Sequence, residues 1–477
     1  MAAGNQIAPD PLAESGATHL TVVSNRGPVS FEHDESGELV ARDGAGGLVS
    51  ALRPLLAGSG ATWVASAITE ADREATARGW MTSDGLDLVT VASNPEDYAM
   101  AYDVISNGTL WFLHHHLFDL SRRPRIDARW WEAWEAYRVV NGLFANVIAE
   151  RSPEGGTVLI QDYHLSLVGA ALHERRDDLL TSHFSHTPFC SPEMLRVLPD
   201  PVARELLESL SAVGARGFHT RRWGDLFTRC TQSMRLPPVT TFASPLSPDV
   251  EHLKTMAGSA ESLRARQWLD EQVGDRKVVL QVARAELSKN LLRGLSAFDL
   301  LLEEHPEWRE RAVHVILANP SRQMLADYVA YQAELEHLVQ LVNERWATSS
   351  WTPILMELSN DYPRSIAALG RYDVLLVNPL RDGLNLVAKE GPVVNERSGA
   401  VVLSREAGVW EELAGLAIEI NPFDIAGTAS AILSGLTMPE QERSERSEGI
   451  VHKVISRPAA KWLADQCLAA TGKEESC

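Results

Sequence analysis

A chain of 477 residues exceeds what one hydrophobic core ordinarily serves, so two domains are expected. Hydrophobic residues at 45% and charged residues at 23% exclude disorder over the whole length. The formal charge of -20 repels polyanions and excludes nucleic acid as a general partner, although a few arginines in a cleft can still hold a small anion.

The N-terminal residues 1–18 carry Asp10 and Glu14, with no basic start and no apolar run, and are expected to form a flexible tail. No segment approaches the roughly eighteen apolar residues that span a bilayer, so no membrane association is expected. Cys190, Cys230, Cys467 and Cys477 have no C-x-x-C spacing and are too sparse for a disulfide framework, which points to the cytoplasm.

Short β-branched runs at 20–23, 157–160, 278–282, 313–317, 374–377 and 401–403 alternate with helical periodicity, as at 291–302 and 324–342. Such alternation predicts parallel sheets covered on both faces. The pattern is built twice: strands end near Phe242 and begin again at Val278 after a polar, helix-forming stretch at 259–271, with Pro245 and Pro248 between. The expected fold class is α/β, with two Rossmann-like, doubly wound domains facing a central cleft. The expected division is a tail at 1–18, a first domain at 19–247, a second at 248–455 and a closing helical segment at 456–477. The charged run 440–448 reads as a solvated helix face. A homo-oligomer is left open.

Ligands bind beyond the carboxyl ends of parallel strands, so polar residues just after each apolar run are the candidates. The first run leads into Ser24-Asn25-Arg26, and Gly44-Ala45-Gly46-Gly47 precedes a helical pattern. Glycines before a helix let amides approach a phosphate, though a tight turn explains them equally and the spacing is not G-x-G-x-x-G. Tyr102 and Trp111 taken alone read as core packing. His114-His115-His116 is not expected to bind metal, because neighbours on a strand point to opposite faces. The run ending at Gln161 is followed by Asp162-Tyr163-His164, and His183 to Ser185 by His186; no H-E-x-x-H pair supports a metal there.

In the second half, Val282 leads through Arg284, Glu286 and Ser288 to Lys289-Asn290. With Ser288 as the expected cap of the next helix, two cations and free amides would make an anion pocket. The string from Val377 to Glu390 places Asp382 where a helix is expected to begin and Glu390 eight residues on. At about 1.5 Å per residue that is roughly 12 Å, the reach from a hexose across a diphosphate to a ribose. Amides of Leu384 and Asn385 would face the diphosphate. Taken singly, Asp382 reads as an N-cap, Glu390 as a solvent-facing helix residue, and Arg322 as a surface cation.

In order, these strings resemble the trehalose-6-phosphate synthase family from about Leu20 to about Leu468. The match is densest in Leu380-Arg381-Asp382-Gly383-Leu384-Asn385-Leu386-Val387-Ala388-Lys389-Glu390. It continues in Val23-Ser24-Asn25-Arg26, Tyr102 with Ser106-Asn107 and Leu110-Trp111, Asp162-Tyr163-His164, His186-Thr187-Pro188-Phe189, Arg284 with Lys289, and Ser321-Arg322.

The resemblance implies a GT-B glycosyltransferase that moves glucose, with retention, from a nucleotide-glucose to glucose 6-phosphate without a cofactor or metal. By matched motif, Arg284 and Lys289 would grip the donor diphosphate, with Gly46, Gly47, Leu384, Asn385 and Leu386 against it. Glu390 would hold the ribose, and Asp382 and His186 the transferred glucose. Arg26, Tyr102, Trp111 and Arg322 would surround glucose 6-phosphate, with Asp162 close to its reacting hydroxyl. The resemblance also implies that the final helical stretch returns to the first domain.

Two positions depart from the family's commoner pattern: Glu286-Leu287-Ser288-Lys289-Asn290 replaces Asp-Tyr-Ser-Lys-Gly, and His186-Thr187-Pro188 replaces His-Ile-Pro. Near the base, Asp361 could accept from guanine, with Ser365 one turn on, which favours GDP-glucose over UDP-glucose. The alternatives are a pseudo-glycosyltransferase joining cyclitol units and a non-catalytic sugar-phosphate sensor; the intact Arg-Asp-Gly string and both acidic residues argue against them.

Overall fold

The computed structural model describes residues 19–44, 47–79 and 85–473. The expected N-terminal tail and Gly46 lie outside the described residues. The chain divides into two compact units, Met1–Pro245 with Ala459–Cys477, and Leu246–Pro458. Each is a Rossmann-like α/β unit.

The first unit is built on β1 (Leu20–Ser24), β4 (Thr62–Ser66), β5 (Asp87–Val91), β6 (Thr157–Gln161), β7 (Leu180–Ser185), β8 (Ala215–Phe218) and β9 (Thr241–Ala243). All pair in parallel in the order β5-β4-β1-β6-β7-β8-β9, so the winding reverses between β1 and β6. Every residue of β1 and β6 is buried, as a strand covered on both faces requires, and β-branched residues supply that bulk. An antiparallel pair, β2 (Val29–His33) and β3 (Leu39–Asp43), stands apart from the sheet. Gly44 follows, and a Cβ there would lie 2.4 Å from the Gly27 carbonyl oxygen, so only glycine fits.

The helix Ala128–Arg151 starts at Asp127, whose carboxylate accepts the Trp130 amide, and it buries Trp130, Trp134, Tyr137 and Phe144. The helix Ala459–Thr471 completes the first unit against β6 and β7. Its Trp462 is fully buried and meets Phe184 edge-on at 5.3 Å, while Gln466 accepts from Gln161 at 2.9 Å.

The segment Met100–Leu110 is a π-helix that runs directly into the helix Trp111–His115. The wider turn is held by hydroxyls five residues on from their acceptors, Ser106 to the Ala101 carbonyl at 3.0 Å and Thr109 to Val104 at 2.8 Å. A Cβ on Gly108 would lie 2.8 Å from the Asp103 carbonyl oxygen, so glycine is needed there too. This continuity corrects one expectation: His114 and His115 lie on a helix, and His116 is its left-handed cap. They are not strand neighbours, and successive side chains diverge by about 100°. His115 is buried, with its ring 3.8 Å from that of Trp111.

The second unit contains β10 (Lys277–Ala285), β11 (Ala312–Pro320), β12 (Ile354–Glu357), β13 (Val374–Val377), β14 (Ala400–Ser404) and β15 (Ile418–Ile420). They form one parallel sheet in the order β12-β11-β10-β13-β14-β15. The winding reverses between β10 and β13, the point where such sheets open a crevice at their carboxyl edge. No described helix is long and apolar enough to cross a membrane.

Candidate active site

In the first unit Arg26 and Asp162 follow the carboxyl ends of β1 and β6, the two strands flanking the reversal. His186 follows β7, while Tyr102 and Trp111 lie on the helical stretch after β5. After β1, Asn25 is buried and its side-chain oxygen accepts from Ser66 and from Tyr98, each at 3.1 Å; Arg26 beside it is exposed. The half-buried Tyr102 stacks between Tyr98 at 5.6 Å and His164 at 5.7 Å. The aromatic series continues from His164 to Tyr163 at 4.1 Å and from Tyr163 to Trp111 at 5.7 Å. Tyr102 and Trp111 are therefore joined by one chain of rings, with Trp111 itself buried.

After β6, Asp162 has φ 70 and ψ 170, a region that is essentially glycine's. Its amide donates to the Phe184 carbonyl at 2.7 Å, and its carboxylate accepts the His186 amide at 3.2 Å. His186 follows β7; its Nε2 lies 3.1 Å from the Gln161 side-chain oxygen and its Nδ1 3.2 Å from His219 Nε2. Both ring nitrogens are thus engaged by the protein. Burial pushes the imidazole down to about 3, so the ring is neutral at physiological pH.

In the second unit, β10 carries Arg284 as its penultimate residue before Ala285, and a single 3-10 turn, Leu287–Lys289, follows. Ser288 does not cap the next helix as expected. Its hydroxyl donates to Glu286 at 3.0 Å, and the helix Leu291–Glu304 starts from Asn290, which is left-handed with φ 60. The turn is fixed to the end of β13: Asn290 donates to the Asn378 and Pro422 carbonyls at 3.0 and 2.8 Å, and the Leu380 amide donates to the Ser288 carbonyl at 2.8 Å. This brings Lys289 Nζ to 2.5 Å from Asp382 Oδ2, which also accepts from Asn385 at 3.1 Å.

The expected helix start at Asp382 is also corrected. The helix is Val387–Val394. The chain before it is pinned elsewhere: the Asp382 amide donates to the Glu406 carbonyl at 3.2 Å, and the amides of Gly408 and Val409 donate to the carbonyls of Asp382 and Leu384 at 3.0 and 2.9 Å. Asn385 is left-handed with φ 83. The axial estimate of the Asp382 to Glu390 separation therefore does not apply. Leu386 is the residue that flanks the helix start.

Arg322 lies beyond β11 and reaches Glu286 at 2.6 Å and the Tyr328 hydroxyl at 3.1 Å. Arg284, Lys289, Asp382, Asn385 and Arg322 thus belong to one charged group. Asp361 and Ser365 lie at the start of the helix Tyr362–Arg371, and Glu390 lies on the helix Val387–Val394 that packs against it. Asp361 caps that helix through the Arg364 amide at 2.9 Å, and Ser365 donates to the Asp361 carbonyl at 3.0 Å. Burial pushes the Glu390 carboxyl up to about 7, and its charge helps raise the Tyr362 hydroxyl, whose own burial is the larger cause. The neighbouring Lys389 is buried and donates to the Leu246 carbonyl at 2.8 Å and to Glu412. Gly47 opens the helix Gly47–Leu56.

Sequence reasoning missed His219, Arg216 and the role of Glu286. His219 follows the end of β8, so the strand-end rule could have found it. Arg216 is buried within that strand, against the rings of Phe218 and Phe227, with its guanidinium on the His183 carbonyl at 2.6 Å. Burial pulls it down to about 9, opposed by the charge of Asp162. No pattern announces such a residue. Among the described residues no group of His, Cys, Asp and Glu has the arrangement of a metal site.

The model of glycosyltransferase family 20 matches residues 18–470. The trehalose-6-phosphate synthase of Mycolicibacterium smegmatis is 33% identical, over 96% of this chain and 94% of its own length. A bifunctional trehalose-6-phosphate synthase/phosphatase of Thermoproteus tenax is 32% identical over 94% of the chain, which spans 62% of that protein's length. The solved structure of an α,α-trehalose-phosphate synthase (UDP-forming) from Burkholderia xenovorans in complex with glucose-6-phosphate has a TM-score of 0.79 and 27% identity, over 94% of this chain and 98% of that one. A paired set of cations and carboxylates at the reversal of a parallel sheet, and a family match along nearly the whole chain, lead to one conclusion: the chain belongs to glycosyltransferase family 20.

Proposed function

We propose that the protein is an α,α-trehalose-6-phosphate synthase, transferring glucose with retention from a nucleotide-glucose to glucose 6-phosphate. The observation that carries this reading is the group at the β10 and β13 ends, where Lys289 meets Asp382 and Arg284 stands half-exposed beside them. A departing diphosphate develops negative charge, which Arg284 and Lys289 offset. Asp382 holds hydroxyls of the glucose, and Glu390 those of the ribose. His186 faces the same glucose. Arg26, Tyr102, Trp111 and Arg322 hold glucose 6-phosphate, with Asp162 near its anomeric hydroxyl.

In the reaction the bond from glucose C1 to the phosphate oxygen breaks, and a bond from C1 to the acceptor's anomeric oxygen forms on the same face. The acceptor's proton passes to the leaving phosphate oxygen, giving a nucleoside diphosphate. GDP-glucose is favoured over UDP-glucose, on the strength of Asp361 as an acceptor for guanine, while its Oδ1 serves the helix cap. The buried free thiols of Cys190, Cys230 and Cys467 suit a reducing, cytoplasmic setting.

The test is incubation of the purified protein with glucose 6-phosphate and each donor, with the product identified by NMR. The expected product is the 1,1-linked α,α disaccharide phosphate, with one nucleoside diphosphate released per bond. No product from either donor overturns the reading. UDP-glucose used at least about tenfold more efficiently than GDP-glucose overturns the base preference alone.

A further inference from the structure

The carboxylate of Glu286 is fully buried at the carboxyl end of β10, and cations converge on both of its oxygens. Oε1 lies 3.1 Å from Arg284 and 3.9 Å from Lys289, and accepts the Ser288 hydroxyl at 3.0 Å; Oε2 takes Arg322 at 2.6 Å. We propose that Glu286 is a positioning residue that sets the cations for both phosphate-bearing substrates at once. This rests on the function proposed above, in which Arg284 and Lys289 take the donor diphosphate and Arg322 the acceptor phosphate.

A carboxylate enclosed this completely is tolerated when its lone pairs are filled, and the cations that fill them would repel one another without it. Arg322 shows how closely its place is specified. Its backbone is left-handed with φ 45, its guanidinium sits 5.4 Å from the Tyr328 ring, and its side chain is 9% exposed. Arg284 and Lys289 reach Glu286 from the same strand end and turn. Three cations against Glu286 and Asp382 leave positive charge over for a phosphate, while each cation arrives already oriented. Because one carboxylate serves both binding functions, disturbing it should disturb both.

Steady-state kinetics of Glu286→Gln, Glu286→Asp, Arg322→Ala and the double variant Glu286→Gln with Arg322→Ala test this. Glu286→Gln should raise KM for donor and acceptor by about tenfold each, whereas Arg322→Ala should raise that of the acceptor alone. Glu286→Asp, which keeps the charge, should restore both to within about threefold of the parent. In the double variant the acceptor KM should stay within about twofold of Arg322→Ala, since Glu286 acts on the acceptor through that arginine.

Parental KM values in Glu286→Gln, or losses that multiply in the double variant, overturn the proposal. If Glu286→Gln does not fold by circular dichroism, Ser288→Ala replaces it, removing one donor to Oε1. A rise of about threefold in donor KM is then expected, and no change overturns the proposal. Calorimetric binding of nucleoside diphosphate and of glucose 6-phosphate to the parent separates the two levels. A parent that binds neither overturns the proposed function and the positioning role with it. A parent that binds both and turns over, beside an unimpaired Glu286→Gln, overturns the positioning role alone.

Discussion

Asp162 holds a backbone conformation that costs a residue with a Cβ about 1–3 kcal/mol, and it does so where β6 meets the candidate site. If the carboxylate is what that strain serves, the residue's removal should separate stability from activity. Asp162→Gly relieves the strain and Asp162→Ala keeps it, so the glycine variant should be the more stable of the two by about 1 kcal/mol in urea denaturation. Both should lose most turnover. Equal stabilities would show that the conformation is not strained.

Glu390 gives the pH dependence at this scale. Its carboxyl titrates ordinarily at 4.5 and in the folded chain near 7, because burial disfavours the charge. Between these values the folded chain holds a proton that the unfolded chain has released. The group's stabilising contribution is therefore complete below about 4.5 and lost as the pH rises through about 7. Glu390→Gln carries no charge to desolvate, so its melting temperature relative to the parent should climb between about pH 5 and about pH 8. A constant difference across that range refutes the shift. In its proposed place against the ribose hydroxyls, Glu390 would act as an ionised hydrogen-bond acceptor, so the donor KM of the parent should rise below about pH 7.

Among the elements, the turn Leu287–Lys289 and its successor Asn290 decide where Lys289 points. Asn290 needs a left-handed backbone and spends its side-chain amide on two buried carbonyls. Asn290→Ala loses both and adds strain, so it should cost about 2–3 kcal/mol in thermal or urea denaturation. Asn290→Gly avoids the strain and should cost about 1 kcal/mol less. The reverse order would mean that the backbone there is not under constraint.

The same elements show what was legible in the sequence. The central strands were, because a strand buried on both faces must be a continuous apolar run, and 374–377 or 278–282 can hardly be read otherwise. The positions of Asp162 and His186 followed from the strand ends, whereas β10 runs on through Arg284 to Ala285. The start of the helix at Val387 did not, because Asp382-Gly383 imitates a helix cap. What straightens that stretch is bonding to Glu406, Gly408 and Val409, which are distant in sequence. The π-helix Met100–Leu110 was equally hidden, since its sequence has no period of its own that differs from an α-helix. The role of Glu286 escaped because its partner Arg322 lies 36 residues away.

At the scale of the whole molecule, the first unit is discontinuous in sequence, taking its last helix from beyond residue 458. Trp462, Leu463 and Cys467 are fully buried in it, and the Trp462 ring lies 5.6 Å from that of His186. Trp462→Ala should therefore cost about 3–5 kcal/mol in urea denaturation and impair turnover as well. A loss below about 1 kcal/mol would show that the helix is not needed for the core.

On the ribosome, synthesis runs from the amino terminus, so β6 and β7 emerge long before Trp462 and Gln466 exist to cover them. A nascent chain halted short of residue 459 carries Phe184 and Gln161 without those partners. The earliest-made sheet is thus the last to be finished, and a premature stop codon near the 3′ end of the message would strike the histidine side of the site first.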